Sequence, residues 1–337
     1  MYAEFYSLSG LPFQLTPDPR FFFGSSEHNK AMAHLTYGMH QGEGFIVITG
    51  DVGAGKTTLV DHLLTTLKPT EYVAAKIVTT QLHADDMLRM VAAAFNLFRE
   101  GLDKASLLKR IEEFASTTQA QGKRILLVVD EAQNLPIGAL EELRMLSNIV
   151  IRGAAPIQAI LLGQPQFRNV LARAELDQLR QRITASCHLG PLTAKETRDY
   201  VEHRLKFVGW KRDPNFTDAS FGEIFRHTGG IPRRINTLCS RLMLLGFLEE
   251  KHEVSDTMVT QVAEELAHEL GTVIEDTSAA EKRPKPNGAH PEPSEPPTGL
   301  ADLARRVSSI EQGLLRHDRA IRRAIDIVAK YLDKAGS

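Results

Sequence analysis

Up to about Leu192, uninterrupted apolar runs alternate with segments whose apolar positions recur every three or four residues. Phe45-Ile46-Val47-Ile48 and Ile125-Leu126-Leu127-Val128-Val129 have no polar face at all, which suits parallel strands buried on both sides. The pattern predicts strands at Gly44–Thr49, Tyr72–Val78, Ile125–Asp130, Ile157–Gly163 and a shorter Ile183–Leu189. Helices are predicted between them at Thr57–Leu67, Ala84–Phe95, Lys104–Gln121 and Ile137–Asn148. Alternation of this kind builds a parallel sheet covered on both faces. Beyond Leu192 the periodicity is wholly helical, over Ala194–Val208, Asp218–Thr228, Ile231–Glu250 and Asp256–Gly271. The expected architecture is α/β, with an N-terminal segment at 1–43, a core at 44–192 and a helical lid at 193–271.

The first apolar run leads directly into Gly50-Asp51-Val52-Gly53-Ala54-Gly55-Lys56-Thr57, followed by Thr58. G-x-x-x-x-G-K-T between a buried strand and a helix reads as a phosphate-binding loop. Its glycines let the backbone turn tightly and aim N–H groups inward. Lys56 is placed to reach the β- and γ-phosphates, and the Thr57 hydroxyl to sit on Mg²⁺. The helix that follows adds its positive N-terminal end. Residues Gly50 to Thr58 are therefore the expected nucleotide ligands, with ATP and Mg²⁺ as cofactors.

The second apolar run ends in Asp130-Glu131. A central parallel strand presents whatever follows it at the carboxyl edge of the sheet, where open α/β sheets bind ligands. Asp130 is the expected second metal ligand, direct or through water. Glu131 is the expected base, orienting and deprotonating the water that attacks the γ-phosphate. The plainer alternative is that the pair only ends a strand. The extra βα unit at Tyr72–Val78 lies in sequence between loop and acidic pair.

Composition narrows the field. The 337 residues, 42% apolar and 24% charged, are ordinary globular material for two or three domains. A net charge of −2 supplies no global cationic field for nucleic acid or anionic lipid. Cys187 and Cys239 are the only thiols and lack metal-ligand spacing, so they read as buried structural residues of a reduced compartment. His34, His40, His83, His203 and His227 also lack such spacing and read as structural or surface groups. With no basic-then-apolar leader and no apolar run of about 18 residues, a cytoplasmic protein is expected, peripheral at the inner face of a membrane if a partner docks it there.

Several motifs carry a family resemblance. They include Phe5-Tyr6-Ser7-Leu8, Leu11-Pro12-Phe13, Thr16-Pro17-Asp18-Pro19-Arg20-Phe21-Phe22-Phe23-Gly24-Ser25 and His28…Ala31…Leu35-Thr36-Tyr37-Gly38. Asp130-Glu131-Ala132-Gln133-Asn134-Leu135, Leu162-Gly163-Gln164-Pro165 and Gly229-Gly230-Ile231-Pro232-Arg233-Arg234-Ile235-Asn236 continue the pattern. Over about residues 1–270 the chain resembles the AAA+ ATPases of the general secretion pathway protein A type. The stretch Leu179-Arg180-Gln181-Arg182-Ile183 with Ser186-Cys187-His188-Leu189-Gly190-Pro191-Leu192 is most similar to the secretion ATPase that accompanies exosortase/PEP-CTERM and exopolysaccharide systems.

The resemblance implies a P-loop NTPase (AAA+) fold, oligomeric ATP hydrolysis and four further roles. Gln164 looks like a residue that senses the γ-phosphate through its amide, where many relatives carry Asn or Thr. Arg182 looks like an arginine finger donated to a neighbouring subunit, with Arg180 as runner-up on the same face if the segment is extended. Arg233 looks like a lid arginine that reaches back to the γ-phosphate, and Arg234 like a solvent or partner residue. Planar, permanently charged guanidinium suits such contacts. The proline-rich, aromatic N-terminal segment is expected to wrap the base side of the nucleotide, or to clasp the sheet edge.

Residues 272–299 hold six prolines and read as a solvated linker. From Leu300 to Lys334 apolar residues return in alternating steps of three and four, the a/d pattern of a coiled coil, with eight Arg/Lys against five Asp/Glu. Self-association, docking on a partner helix and lying on an anionic membrane all remain open for this helix. The reading is an ATPase that assembles with itself into a ring or filament. It would engage envelope secretion or polysaccharide-export components through its C-terminal helix. A DNA-binding AAA+ protein, using a patch such as Lys206, Lys211 and Arg212, and a slow nucleotide-gated scaffold are the alternatives.

Overall fold

In the computed structural model, residues 2–78, 86–98 and 101–281 are described. After a short helix α1 (Tyr2–Phe5) and an irregular segment comes α2 (Ser26–Gln41). The core then runs β1 (Phe45–Gly50), α3 (Lys56–Thr66), β2 (Tyr72–Val78), α4 (Asp86–Ala94), α5 (Lys104–Ala120), β3 (Arg124–Asp130), α6 (Ile137–Ser147) and β4 (Ile157–Gly163). Two short helices, α7 (Phe167–Leu171) and α8 (Asp177–Arg180), lead to β5 (Ile183–Leu189). The lid is α9 (Ala194–Phe207), β6 (Asn215–Phe216), α10 (Asp218–Thr228), α11 (Pro232–Leu248), β7 (Glu253–Val254) and α12 (Asp256–Glu281).

The five core strands form one parallel sheet in the order β2-β3-β4-β1-β5. Side chains alternate across a strand, so each apolar run divides between two cores. Phe45, Val47, Ile125, Leu127, Val129 and Leu161 face α4, α5 and α6. Ile46, Ile48, Leu126, Val128, Ile160 and Leu162 face α2 and α3. Burial on both faces is why these strands read as continuous hydrophobic runs. The strand that separates β1 from β3 in space is β4, although β2 stands between them in sequence. Gly50, Asp130 and Gly163 therefore end three neighbouring strands at one edge, the ligand-binding edge of such sheets.

Four features differ from the expected pattern. Residues 26–41, for which the pattern predicts no element, are a helix, with Ser25 as N-cap and left-handed Gly42 closing it. The lid contains a two-stranded parallel ribbon, β6 with β7, too short to leave a period-two signal. The first part of the N-terminal segment packs on the lid, where Tyr6, Phe13 and Phe21 share a core with Val201, Leu205, Ile224, Leu238 and Leu242, while Phe22 stacks on His62 of α3. Finally, α12 continues to Glu281 instead of stopping at Gly271, because no proline interrupts the chain before Pro284. The predicted coiled coil at 300–334 lies outside the described residues.

Candidate nucleotide site

The loop between β1 and α3 is built on glycine. Gly53 and Gly55 sit at φ 83° and 98°, a region L side chains rarely adopt. A Cβ at Gly53 would strike the Arg233 side chain, and one at Gly55 would lie 2.8 Å from His28 Nε2. Lys56 is buried, and its ammonium donates to the carbonyls of Gly50 at 2.7 Å and Asp51 at 2.9 Å. Burial lowers its pKa, opposed by the nearby charges of Glu131, Asp130 and Asp51. The side chain thus folds back across the loop.

The acidic pair is equally well placed. Asp130 Oδ2 accepts the Thr57 hydroxyl at 2.9 Å, and Oδ1 accepts the Glu131 N–H at 3.0 Å. A hydroxyl and a carboxylate oxygen in contact are the donor set Mg²⁺ takes from a protein when phosphates and water fill its other positions. The two residues fit that ion. Lys76 stands beside them, 2.7 Å from Asp61 and 3.9 Å from Asp130, a cation that sequence reading had not placed here.

Glu131 adopts a left-handed backbone, φ 55°, that turns it out of the strand line. Its Oε2 accepts Gln133 Nε2 at 2.6 Å and Gln164 Nε2 at 3.2 Å, while Gln133 Oε1 accepts the Gln164 N–H at 2.9 Å. Gln164 is thereby brought to the carboxylate itself. Gln133, quoted above only as part of a motif, is the second amide holding it. Nothing in the sequence distinguishes Gln133 from an ordinary turn residue.

A cleft of about 180 Å³ opens beside the loop. Its walls are the strap from Gln14 to Phe23, the loop itself, and Tyr200, Arg204, Arg233 and Asn236 of the lid. Arg233, in the first turn of α11, donates its backbone N–H to the Gly53 carbonyl at 3.1 Å, so the lid touches the loop directly. Arg204 is the anchor of the strap. It is buried, donates to the carbonyl of Pro12 at 2.6 Å and to the Tyr200 hydroxyl at 2.9 Å, and lies over the Phe21 ring at 4.5 Å. The i, i+4 spacing of Tyr200 and Arg204 was visible in the sequence, but the carbonyls they serve were not.

Arg182 is not part of this cleft in its own chain. It precedes β5, whose register with β1 runs from Ile183 beside Phe45 to Leu189 beside Gly50. Seven residues of strand, roughly 20 Å, separate it from the loop edge. It is exposed and donates to the Ser147 carbonyl at 3.2 Å. Arg180 ends helix α8 and pairs with Asp177 at 2.6 Å, so the two arginines are not on one face of an extended segment. The thiols divide: Cys239 is buried, Cys187 half-buried, and burial raises the pKa of both.

The fold is that of an AAA P-loop NTPase, and residues 39–171 match the family model described as the AAA domain. The chain is similar, at 37% identity over 268 residues, to the general secretion pathway protein A of Aeromonas hydrophila. That match takes in 79% of this chain and 49% of the other, so the chain spans about half the length of its curated relative. Among solved structures, Cdc6p from Pyrobaculum aerophilum superposes with a TM-score of 0.61 at 17% identity, covering 78% of this chain and 70% of that one. The Aeropyrum pernix ORC2 protein gives 0.57 at 16%, covering 74% and 72%. At such identities these likenesses speak for the fold alone. The AAA family implies a bound nucleotide, and the residues gathered here suit one.

His28 gives the site a pH signature. Burial holds its pKa down to about 4, against the opposing pull of its contact with Ala54 and the charges of Glu196 and Glu27. Between pH 4 and 6.5 the unfolded chain therefore binds a proton that the folded chain refuses, and stability falls as pH is lowered through that window. From pH 7.5 to 5 the wild type should lose about 2 kcal/mol more than His28→Asn in urea unfolding. Equal losses would show that His28 is not held neutral.

Proposed function

We propose that this chain is a Mg²⁺-dependent ATPase that works as an oligomer, its nucleotide cycle driving or regulating assembly of a cell-envelope secretion system. The observation that carries the catalytic part is Glu131, held by two amides beside the Asp130–Thr57 pair. Lys56 neutralises charge on the β- and γ-phosphates, and Asp130 with Thr57 would hold Mg²⁺. The ion, when bound, supplies charge to the phosphate oxygens. Glu131 takes the proton of the attacking water, and Gln164 orients that water or the γ-phosphate. Arg233 would reach over from the lid, and Arg182 would come from a neighbouring subunit.

The envelope assignment rests on the similarity to general secretion pathway protein A. The finer exosortase/exopolysaccharide reading rests on the Leu179–Leu192 motif resemblance alone. Among the described residues no helix is long and apolar enough to cross a membrane, and we place the chain at the cytoplasmic side, docked by a partner. DNA binding is not favoured: Lys206 of the candidate basic patch is already paired with Glu202 at 2.8 Å. ATP turnover measured with and without duplex DNA, at two salt concentrations, separates the readings. The proposal expects turnover indifferent to DNA. Strong, salt-sensitive stimulation would favour the DNA reading.

The C-terminal segment is proposed to serve assembly. Deleting 300–337 should leave ATP binding unchanged, because a proline-rich linker transmits no defined geometry. Sedimentation in ATP should show a smaller assembly for the deleted chain. Identical mass distributions would leave partner or membrane docking as the segment's task.

A further inference from the structure

The N-terminus of α2 lies between lid and loop. Ser25 caps that helix: its hydroxyl accepts the His28 N–H at 3.3 Å and sits 2.7 Å from His28 Nδ1. The other ring nitrogen, Nε2, faces the phosphate loop at Gly55, and the neighbouring Ala54 backbone favours a proton on the ring. One tautomer suits both sides, with Nδ1 accepting from Ser25 and Nε2 carrying its proton toward the loop backbone.

The next residue faces the other way. Ser26 donates its N–H at 2.8 Å and its hydroxyl at 2.7 Å to Oε1 of Glu196. Oε2 of the same carboxylate accepts the N–H and the hydroxyl of Thr193, both at 3.0 Å, closing the capping box of α9. A capping box requires only the second set. The first set is additional, and it places one carboxylate at the positive ends of two helices, α2 of the core and α9 of the lid. Desolvation works against that charge, but the hydrogen bonds from Thr193 and Ser26 outweigh it and hold the carboxyl at about 2, so it stays ionised.

We infer that Glu196, Ser26, Ser25 and His28 form a hydrogen-bonded clasp through which the seating of the lid sets the phosphate loop. Nucleotide affinity then depends on Ser26 and Glu196, neither of which lines the cleft. The Leu192 N–H, just ahead of α9, donates to the Gly230 carbonyl just ahead of α11, so the starts of these two lid helices are tied together. Arg233 on α11 and Glu196 on α9 therefore grip the loop from two sides, one directly at Gly53 and one through α2. Ser26 and Glu196 are positioning residues, as is His28 through its contact with Ala54. The inference rests on the reading of residues 50–58 as a nucleotide loop.

Calorimetric titration of the full-length chain with ATPγS in Mg²⁺ tests it. Ser26→Ala keeps the helix and the capping box, and Glu196→Gln keeps the shape. Each should weaken binding by about 5-fold or more, within the range of ordinary site-to-site coupling. His28→Gln, long enough to serve the loop backbone, should bind better than His28→Asn, which can serve only Ser25. The double variant Ser26→Ala/His28→Asn should bind no worse than His28→Asn, because both changes cut one path. A purely structural cap would instead give wild-type affinity in Ser26→Ala and Glu196→Gln, and that result overturns the clasp. So would losses that multiply in the double variant, or equal binding by the Gln and Asn variants. A wild type that binds no ATPγS would remove the nucleotide reading itself.

Discussion

Glu131→Gln is expected to hold ATP as tightly as the wild type while releasing phosphate ~10²-fold or more slowly. The substitution keeps the shape of the side chain and leaves Asp130 and Thr57, 2.9 Å apart, to serve the metal. What it removes is the one carboxylate at this position able to take a proton from water. The carbonyl oxygen of the new amide can still accept from Gln133 and Gln164, so residue 131 keeps its anchor and loses only its basicity. ATP binding by calorimetry, with phosphate release in the same buffer, checks both halves. Hydrolysis at the wild-type rate would assign the base to another residue. Lys56→Ala should behave oppositely, losing binding along with turnover, because its buried ammonium is the charge held across the loop.

The second large effect is expected at Arg182. It is exposed and stands at the far edge of the sheet from its own loop, so any role in hydrolysis must be played in a neighbour's site. Arg182→Ala should keep its ATP affinity and lose turnover by up to ~10³-fold, the effect of a finger acting in trans. Mixed with Lys56→Ala it should regain activity, since one variant contributes an intact pocket and the other an intact finger. Wild-type specific activity should also rise with protein concentration. No rescue, together with concentration-independent activity, would make this a monomeric enzyme and remove Arg182 from the mechanism.

The strands were legible because burial on both faces leaves an unbroken apolar run, and all five fell within a residue of their expected bounds. Lys56, Thr57, Asp130 and Glu131 were legible because the loop and the strand end fix them locally. Arg233 came from the resemblance carried by Gly229–Asn236, and its backbone meets the loop at Gly53. Less visible was α2, although Ser25, Gly42 and the buried series His28, Ala31, Leu35 and Met39 mark its start, stop and inner face. Gly38 and three histidines within the segment obscured that period. The contacts of Gln133 with Gln164, Lys76 with Asp130, Arg204 with Pro12 and Glu196 with Ser26 could not be read, because these partners lie on other elements that only the tertiary fold brings near. The condition set for Arg180, an extended segment, is not met, because Arg180 ends a short helix.

The most direct test of the ATPase reading is steady-state phosphate release from ATP by the full-length chain, in Mg²⁺ and in EDTA, beside Lys56→Ala. Release is expected from the wild type in Mg²⁺, none in EDTA, and none from Lys56→Ala in either. Release undiminished by EDTA or by the substitution, or none from the wild type at any protein concentration, would contradict the ATPase reading.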